Sequence, residues 1–270
     1  MPIEGFLVLA VVGAMAGFLA GLLGIGGGLL MVPFISYYLA AQGVGAALGV
    51  KMAIATAMAT ILITSISSVR AHHRLGKVRW PVALSLVPGV WLGSMVASVW
   101  IFSTIKGGVL AVVFSVFVGF LATQMYIDRK PKPSRQLPGP WGLGGVGSLI
   151  GLVSGLVGAG GAFITVPFLT WCNMPIHQAV ATSAALGFPI ALFNALGYVY
   201  SGWGIEGLPT ASLGYVWVPA WLAMTSCSML TAPWGARSAQ KLPVQKLKQI
   251  FGTLLLLISA YMLRMGLSQS

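Results

Sequence analysis

The residues best suited to chemistry in this chain of 270 residues are glycines. Gly21-Leu22-Leu23-Gly24-Ile25-Gly26-Gly27-Gly28 interrupts one apolar run, and Gly155-Leu156-Val157-Gly158-Ala159-Gly160-Gly161-Ala162 interrupts another. Glycine permits backbone angles closed to other residues and lets a second backbone come close. A helix that breaks at such a point restarts with unpaired N–H groups and the positive end of its dipole, and both attract an anion. Gly24, Gly26, Gly27 and Gly28 are therefore candidate anion-binding positions, with Gly158, Gly160 and Gly161 as their counterparts. The competing reading is close packing alone, since small residues line helix contacts inside membranes. Recurrence at equivalent places favours a site.

Polar side chains follow each break. Lys51 lies five residues before Thr56, and His177 lies five residues before Thr182. An ionisable group inside a membrane span is a functional candidate by default. Lysine holds an anion as a point charge, whereas histidine holds one by hydrogen bonding or carries a proton. Alternatively, both sit at a helix end and reach toward the lipid headgroups. Thr56, Thr182, Ser183 and Asn194, with Ser65 and Ser68, offer hydroxyl or amide groups to an oxyanion, or else bond a neighbouring turn or helix. His72 and His73 stand beside Arg70 and Arg74 and read as solvated loop residues. The only acids are Glu4, Asp128 and Glu206, all at span ends or in loops. No mid-span carboxylate is present to bind a cation, so an anion is the better cargo. Neither a metal cluster nor a cofactor motif is expected, and no catalytic triad or phosphate-binding loop is visible. Cys172 and Cys227 lack metal-ligand spacing and read as small hydrophobes.

The elements that carry these residues follow from composition. Hydrophobic residues make up 57% of the chain and charged residues 7%, with a mean hydropathy of +0.93. A water-facing surface cannot be covered with so few charges. Long apolar runs without period-two alternation point to helices rather than a barrel. The expected fold class is all-α: a polytopic helical membrane protein with the lipid bilayer as its solvent. The net charge of +12 resides mainly in loops, the usual positive-inside pattern, and there is no basic stripe for nucleic acid.

Two halves are legible. Gly155 lies 134 residues after Gly21, and that offset persists through Val32-Pro33-Phe34 and Val166-Pro167-Phe168. Ile54-Ala55-Thr56 matches Val180-Ala181-Thr182 at an offset of 126. The expected organisation is a first membrane repeat over 1–127, a basic cytoplasmic linker over 128–140 and a second repeat over 141–270. Basic clusters at Arg70–Arg79, Arg129–Arg135 and Arg237–Lys248 orient toward the cytoplasm, while the loop 201–210 with Glu206 faces outward. Equivalent loops then lie on opposite sides, which makes the repeats inverted with an odd number of crossings each. The expected segments are Gly5–Leu23, Leu29–Ala41, Ala46–Val69, Pro81–Ile101, Gly107–Ile127, Trp141–Val157, Ala162–Trp171, His177–Ser201, Leu213–Pro233 and Leu247–Gly266. Merging the first two of each half gives eight instead of ten.

The glycine breaks followed by Pro-Phe, together with Pro175-Ile176-His177-Gln178-Ala179-Val180-Ala181-Thr182-Ser183, resemble the sulfite exporter TauE/SafE family. The resemblance covers nearly the whole chain. It implies a plasma-membrane permease for small anions, often sulfur oxyanions such as sulfite or organosulfonates. The two half-sites are unequal, since Val50-Lys51 stands opposite Ile176-His177 and Ala57 opposite Ser183. The expected function is export of a small anion by alternating access. An anion channel or a non-transporting scaffold subunit is the alternative, and self-association into a homo-oligomer is left open.

Overall fold

The computed structural model describes residues 3–23, 27–127, 135–238 and 244–268. Gly24, Gly26, most of the basic linker and Lys241 lie outside the described residues. The first half supplies α1 (Ile3–Leu23), α2 (Gly28–Ala41), α3 (Ala46–Arg74), α4 (Trp80–Thr104) and α5 (Gly107–Ile127). The second half supplies α6 (Pro140–Val157), α7 (Ala162–Trp171), α8 (Ile176–Ser201), α9 (Val218–Ser238) and α10 (Val244–Leu267). Seven of these are long and apolar enough to cross a bilayer. The chain is thus an all-α, multi-pass membrane protein. The short segments α2 and α7 each contain a proline, Pro33 and Pro167.

The most buried of the long helices are α3 and α8, which form the centre. They run antiparallel: Arg79, just beyond α3, meets Thr182 near the start of α8, Ser65 faces Gly187, and Lys51 and Tyr198 both reach Phe102. Around them α1 packs along α9, α4 along α6, and α5 along α10. The first two contacts are parallel and built on missing side chains. A Cβ on Gly13, Gly17 or Gly21 of α1 would strike the backbone at Met224, Ser228 or Ala232. One on Gly89 or Gly93 of α4 would strike Gly144 or Ser148 of α6. The α5–α10 pair is antiparallel, with Gly119 against Ser259 and Gly266 against Gly108. Lipid tails are as apolar as leucine, so close backbone approach and its dispersion contacts hold such helices together. Exchanging each helix for the one five places later maps α1–α9 onto α6–α4 and returns α3–α8 and α5–α10 to themselves.

Three differences from the expected helices bear on the site. Helix α3 runs past Val69 to Arg74, and this buries His72 (6% exposed) instead of solvating it. The physical reason is register, because Ser65, Ser68 and His72 recur at helical spacing on one inward face. The ninth helix starts at Val218, after a hairpin that pairs Ser212 with Trp217 and Leu213 with Val216. Gly214, at φ 54°, supplies the turn that composition alone had absorbed into a span. In α4 the stretch Val96–Ile101 relaxes to a π-helix, where Ser98 fills the space left by Gly197.

A candidate anion site at the paired helix breaks

Both helix breaks depend on glycine. Gly27 (φ 71°) precedes α2 and Gly161 (φ 77°) precedes α7, each in the left-handed region that L side chains rarely adopt. Gly158 ends α6 with φ 71°. The breaks then meet. The carbonyl oxygen of Gly158 occupies the place where a Cβ on Gly28 would stand, and Gly158 itself rests on Val32 and Ile54. The first residues of α2 and α7 therefore bring N–H groups without intrahelical acceptors to the middle of the bundle.

Gly160 borders a cavity of about 20 Å³ shared with Ala20, Ile61, Thr64, Ser65, Ser68, Ala184 and Gly187. That volume suits roughly one water molecule. Its walls come from α1, α3, α8 and the second break. Three buried polar atoms close by in the fold have no hydrogen-bond partner among the described residues: Ser154 Oγ, Ser183 Oγ and Asn194 Oδ1. Such atoms are costly unless a ligand or water satisfies them, at about 1–3 kcal/mol each. Ser154 Oγ lies 3.1 Å from where a Cβ on Gly161 would be. Asn194 Nδ2 donates to Ser94 Oγ and to the Ile190 carbonyl, both at 2.9 Å. Thr64 Oγ1 and Ser228 Oγ likewise join the two halves through a hydrogen bond of 2.7 Å.

The two threonines of the repeated motif hold helix starts of the opposite half. The Trp217 N–H donates to Thr56 Oγ1 at 3.0 Å, and the Arg79 N–H donates to Thr182 Oγ1 at 3.1 Å. Thr56 thus ties α3 to the hairpin before α9, and Thr182 ties α8 to the start of α4. Replacing Thr56 by Val leaves a buried amide unpaired and is expected to lower stability by about 1–3 kcal/mol. Thr182→Val is expected to cost less, because Arg79 is exposed to solvent. Thermal unfolding of the two purified variants checks the order.

Lys51 and His177 do not meet at the breaks. Lys51 is half-buried, its Nζ 3.4 Å from the Ser103 carbonyl and 5.7 Å from the rings of Phe102 and Tyr215. Burial raises the Tyr215 hydroxyl above its ordinary range, so that ring is neutral near pH 7. His177 is exposed at the start of α8, beside Gln178, which accepts from Arg79 Nε at 2.9 Å. About 30 Å of helix separates the two ends. Lys51 stands at the end that carries Glu206, and His177 stands at the end that carries the basic α3–α4 loop.

Sequence reasoning missed Ser94, Ser154, Thr64 and Ser228 as buried polar groups of the centre. A signal existed for two of them: Ser94 and Ser228 are separated by the same 134 residues as the glycine motifs. His72, the corrected loop residue, is buried with Nε2 unpartnered among the described residues. Cys172 is buried and Cys227 partly so, and neither forms a disulfide.

The sulfite exporter TauE/SafE family matches residues 9–262. A probable membrane transporter protein of Haemophilus influenzae is 37% identical over 259 residues, covering 95% of this chain and 97% of the relative. Another, of Methanocaldococcus jannaschii, is 26% identical over 269 residues, covering 95% and 94%. A third, of Bacillus subtilis, is 43% identical over 77 residues, or 28% of this chain and 26% of the relative. No solved structure matches the chain.

Proposed function

Because this chain belongs to the sulfite exporter TauE/SafE family and is a membrane transporter of that type, we propose that it exports a small sulfur oxyanion, sulfite or a short organosulfonate, by alternating access. The observation that carries this reading is the meeting of Gly28 with Gly158 at the centre of the bundle. There the start of α2 meets the loop that leads from Gly158 into α7, near buried hydroxyl groups that have no partner among the described residues, with no carboxylate among them. Discontinuous helices at the midplane serve substrates in this way in transporters built from inverted repeats. The antiparallel pairing of α3 with α8 and of α5 with α10 supports inverted halves.

The threonine bonds supply a gating scheme. Thr182 and Arg79 close the basic, cytoplasmic end, and Thr56 and Trp217 close the outer end. Rocking of the halves releases one bond while the other holds, and it widens the small central cavity to admit the anion. The driving force requires no acidic coupling residue. Moving one charge across the membrane is worth about 2.3 kcal/mol per 100 mV, and a negative cytoplasm expels a monovalent anion. Glycine N–H groups, Ser183 and Ser154 would bind the oxyanion, with Asn194, both of whose Nδ2 protons are engaged, fixing the helices around it, while Lys51 and His177 attract it at opposite mouths.

Counterflow in proteoliposomes tests the proposal. Vesicles preloaded with sulfite, ethanesulfonate or chloride are assayed for exchange of labelled sulfite. Saturable flux stimulated by internal sulfite or sulfonate, but not by chloride, is expected. Unsaturable flux without exchange stimulation would make the protein a channel, and no sulfur-anion flux by folded protein would refute the assignment.

A further inference from the structure

Three arginines meet at one end of the bundle with nothing of opposite charge among the described residues to hold them. Arg70 and Arg74, one turn apart on α3, and Arg237 on α9 border a cleft of about 290 Å³ with Ala71, Pro233 and Ala236. None of the three guanidinium groups has a hydrogen-bond or ion-pair partner among the described residues. Both described acids lie at the other end. Glu4 opens α1, whose far end at Gly21 packs on Ala232 and Ala236 beside Arg237. Glu206 follows α8 on the side of Lys51, away from Arg79. Like charges around one cleft repel, and a bound anion relieves that repulsion. The planar guanidinium fork matches phosphate oxygens.

The surroundings decide which anion. Arg70 also borders a second cavity of about 360 Å³, walled by Val69, Trp80, Leu84, Val87 and Phe188. Leu84 is 62% exposed and Phe188 37%, so this groove lies on the outside of the bundle and not on a central path. A free oxyanion gains nothing from apolar walls, whereas an acyl chain does. Trp80 opens α4 beside this groove, with its Nε1 donating to His73 Nδ1 at 3.2 Å, and tryptophans at span ends favour the lipid headgroup level. Basic pockets between helices on the cytoplasmic side bind phospholipid headgroups.

We infer that this face holds an anionic phospholipid, its phosphate on Arg70, Arg74 and Arg237 and one acyl chain in the groove between α3, α4 and α8. The site is separate from the transport path and does not depend on the cargo assigned above.

Native mass spectrometry of the full chain, titrated with phosphatidylglycerol and separately with phosphatidylcholine, tests the inference without reference to transport. The wild type is expected to bind phosphatidylglycerol at least tenfold more tightly. Each of Arg70→Gln, Arg74→Gln and Arg237→Gln is expected to weaken it about fivefold. Val87→Trp, which fills the groove and spares the arginines, is expected to weaken it as well. Equal binding of the two lipids would overturn the inference, as would unchanged binding in the arginine variants. Should Val87→Trp have no effect while inorganic phosphate displaces the lipid, the cleft is a small-anion site and the lipid assignment fails. Any variant that does not fold is replaced by the single substitutions that do, and these carry the same comparison.

Discussion

Gly28→Ala is expected to abolish transport and to lower the stability of the protein in detergent. The new methyl would stand on the carbonyl oxygen of Gly158, with Ile61 Cδ1 2.8 Å away on the other side. A leucine or isoleucine tip can swing aside, but a backbone carbonyl that ends a helix cannot. Overpacking of this kind costs about 1–3 kcal/mol, and more where backbone must move. The functional loss follows from the same contact. Separating Gly28 from Gly158 moves the start of α2 away from the loop that leads into α7, whose N–H groups are proposed to share one anion with it, and a displacement of about 1 Å at such a site costs roughly a hundredfold in rate. Gly145→Ala is the control, because nothing lies within 4 Å of its added Cβ and its backbone is ordinary helix. Flux and thermal unfolding of both variants, measured side by side, check the expectation. Wild-type flux in Gly28→Ala would show that the contact between the breaks is dispensable.

Lys51→Glu is expected to reduce anion flux about a hundredfold, and Lys51→Ala about tenfold. Among the described residues Lys51 is the only cation set over the Phe102 and Tyr215 rings, and neither described acid forms an ion pair with it. A unit charge acting on an anion about 6 Å away is worth a few kcal/mol at an effective dielectric constant of about 20. Because Lys51 is only half-buried, salt and water screen much of that, leaving roughly 1–1.5 kcal/mol for removal of the charge and about twice that for its reversal. Lys51→Arg is expected to retain most of the flux. The effect should fall as ionic strength rises and should appear mainly in the apparent affinity from the outer side. A loss that is insensitive to salt and confined to maximal rate would mark Lys51 as a packing residue instead.

Much of the fold is written in periodicity and composition. The glycine octets announce the breaks, and the Val-Pro-Phe pairs place the short helices after them, because positive φ and an interior proline each admit few sequence solutions. The 126-residue offset pairs Thr56 with Thr182, and both prove buried in equivalent bonds. Their partners were not legible. The donors are backbone N–H groups of Trp217 and Arg79, in the opposite half, and a backbone amide leaves no mark on residue type. Lys51 and His177 share a register position but stand at opposite ends, since antiparallel packing of α3 on α8 sends equivalent residues apart. His72 was misplaced because its charged neighbours suggested solvent, whereas only its position on the inward face of α3 determines burial. The hairpin before α9 hid inside an apolar run, its single cue being Gly214.

The most direct test of anion binding at the paired breaks is a titration of 15N-glycine-labelled protein with ethanesulfonate, read by the amide shifts of Gly28, Gly160 and Gly161 in lipid nanodiscs. Saturable shifts of these amides, at concentrations that also saturate flux and absent with choline chloride, are the expected result. Amide shifts confined to glycines at the two mouths, with those at the breaks unmoved while flux saturates, would contradict a site at the meeting of Gly28 and Gly158.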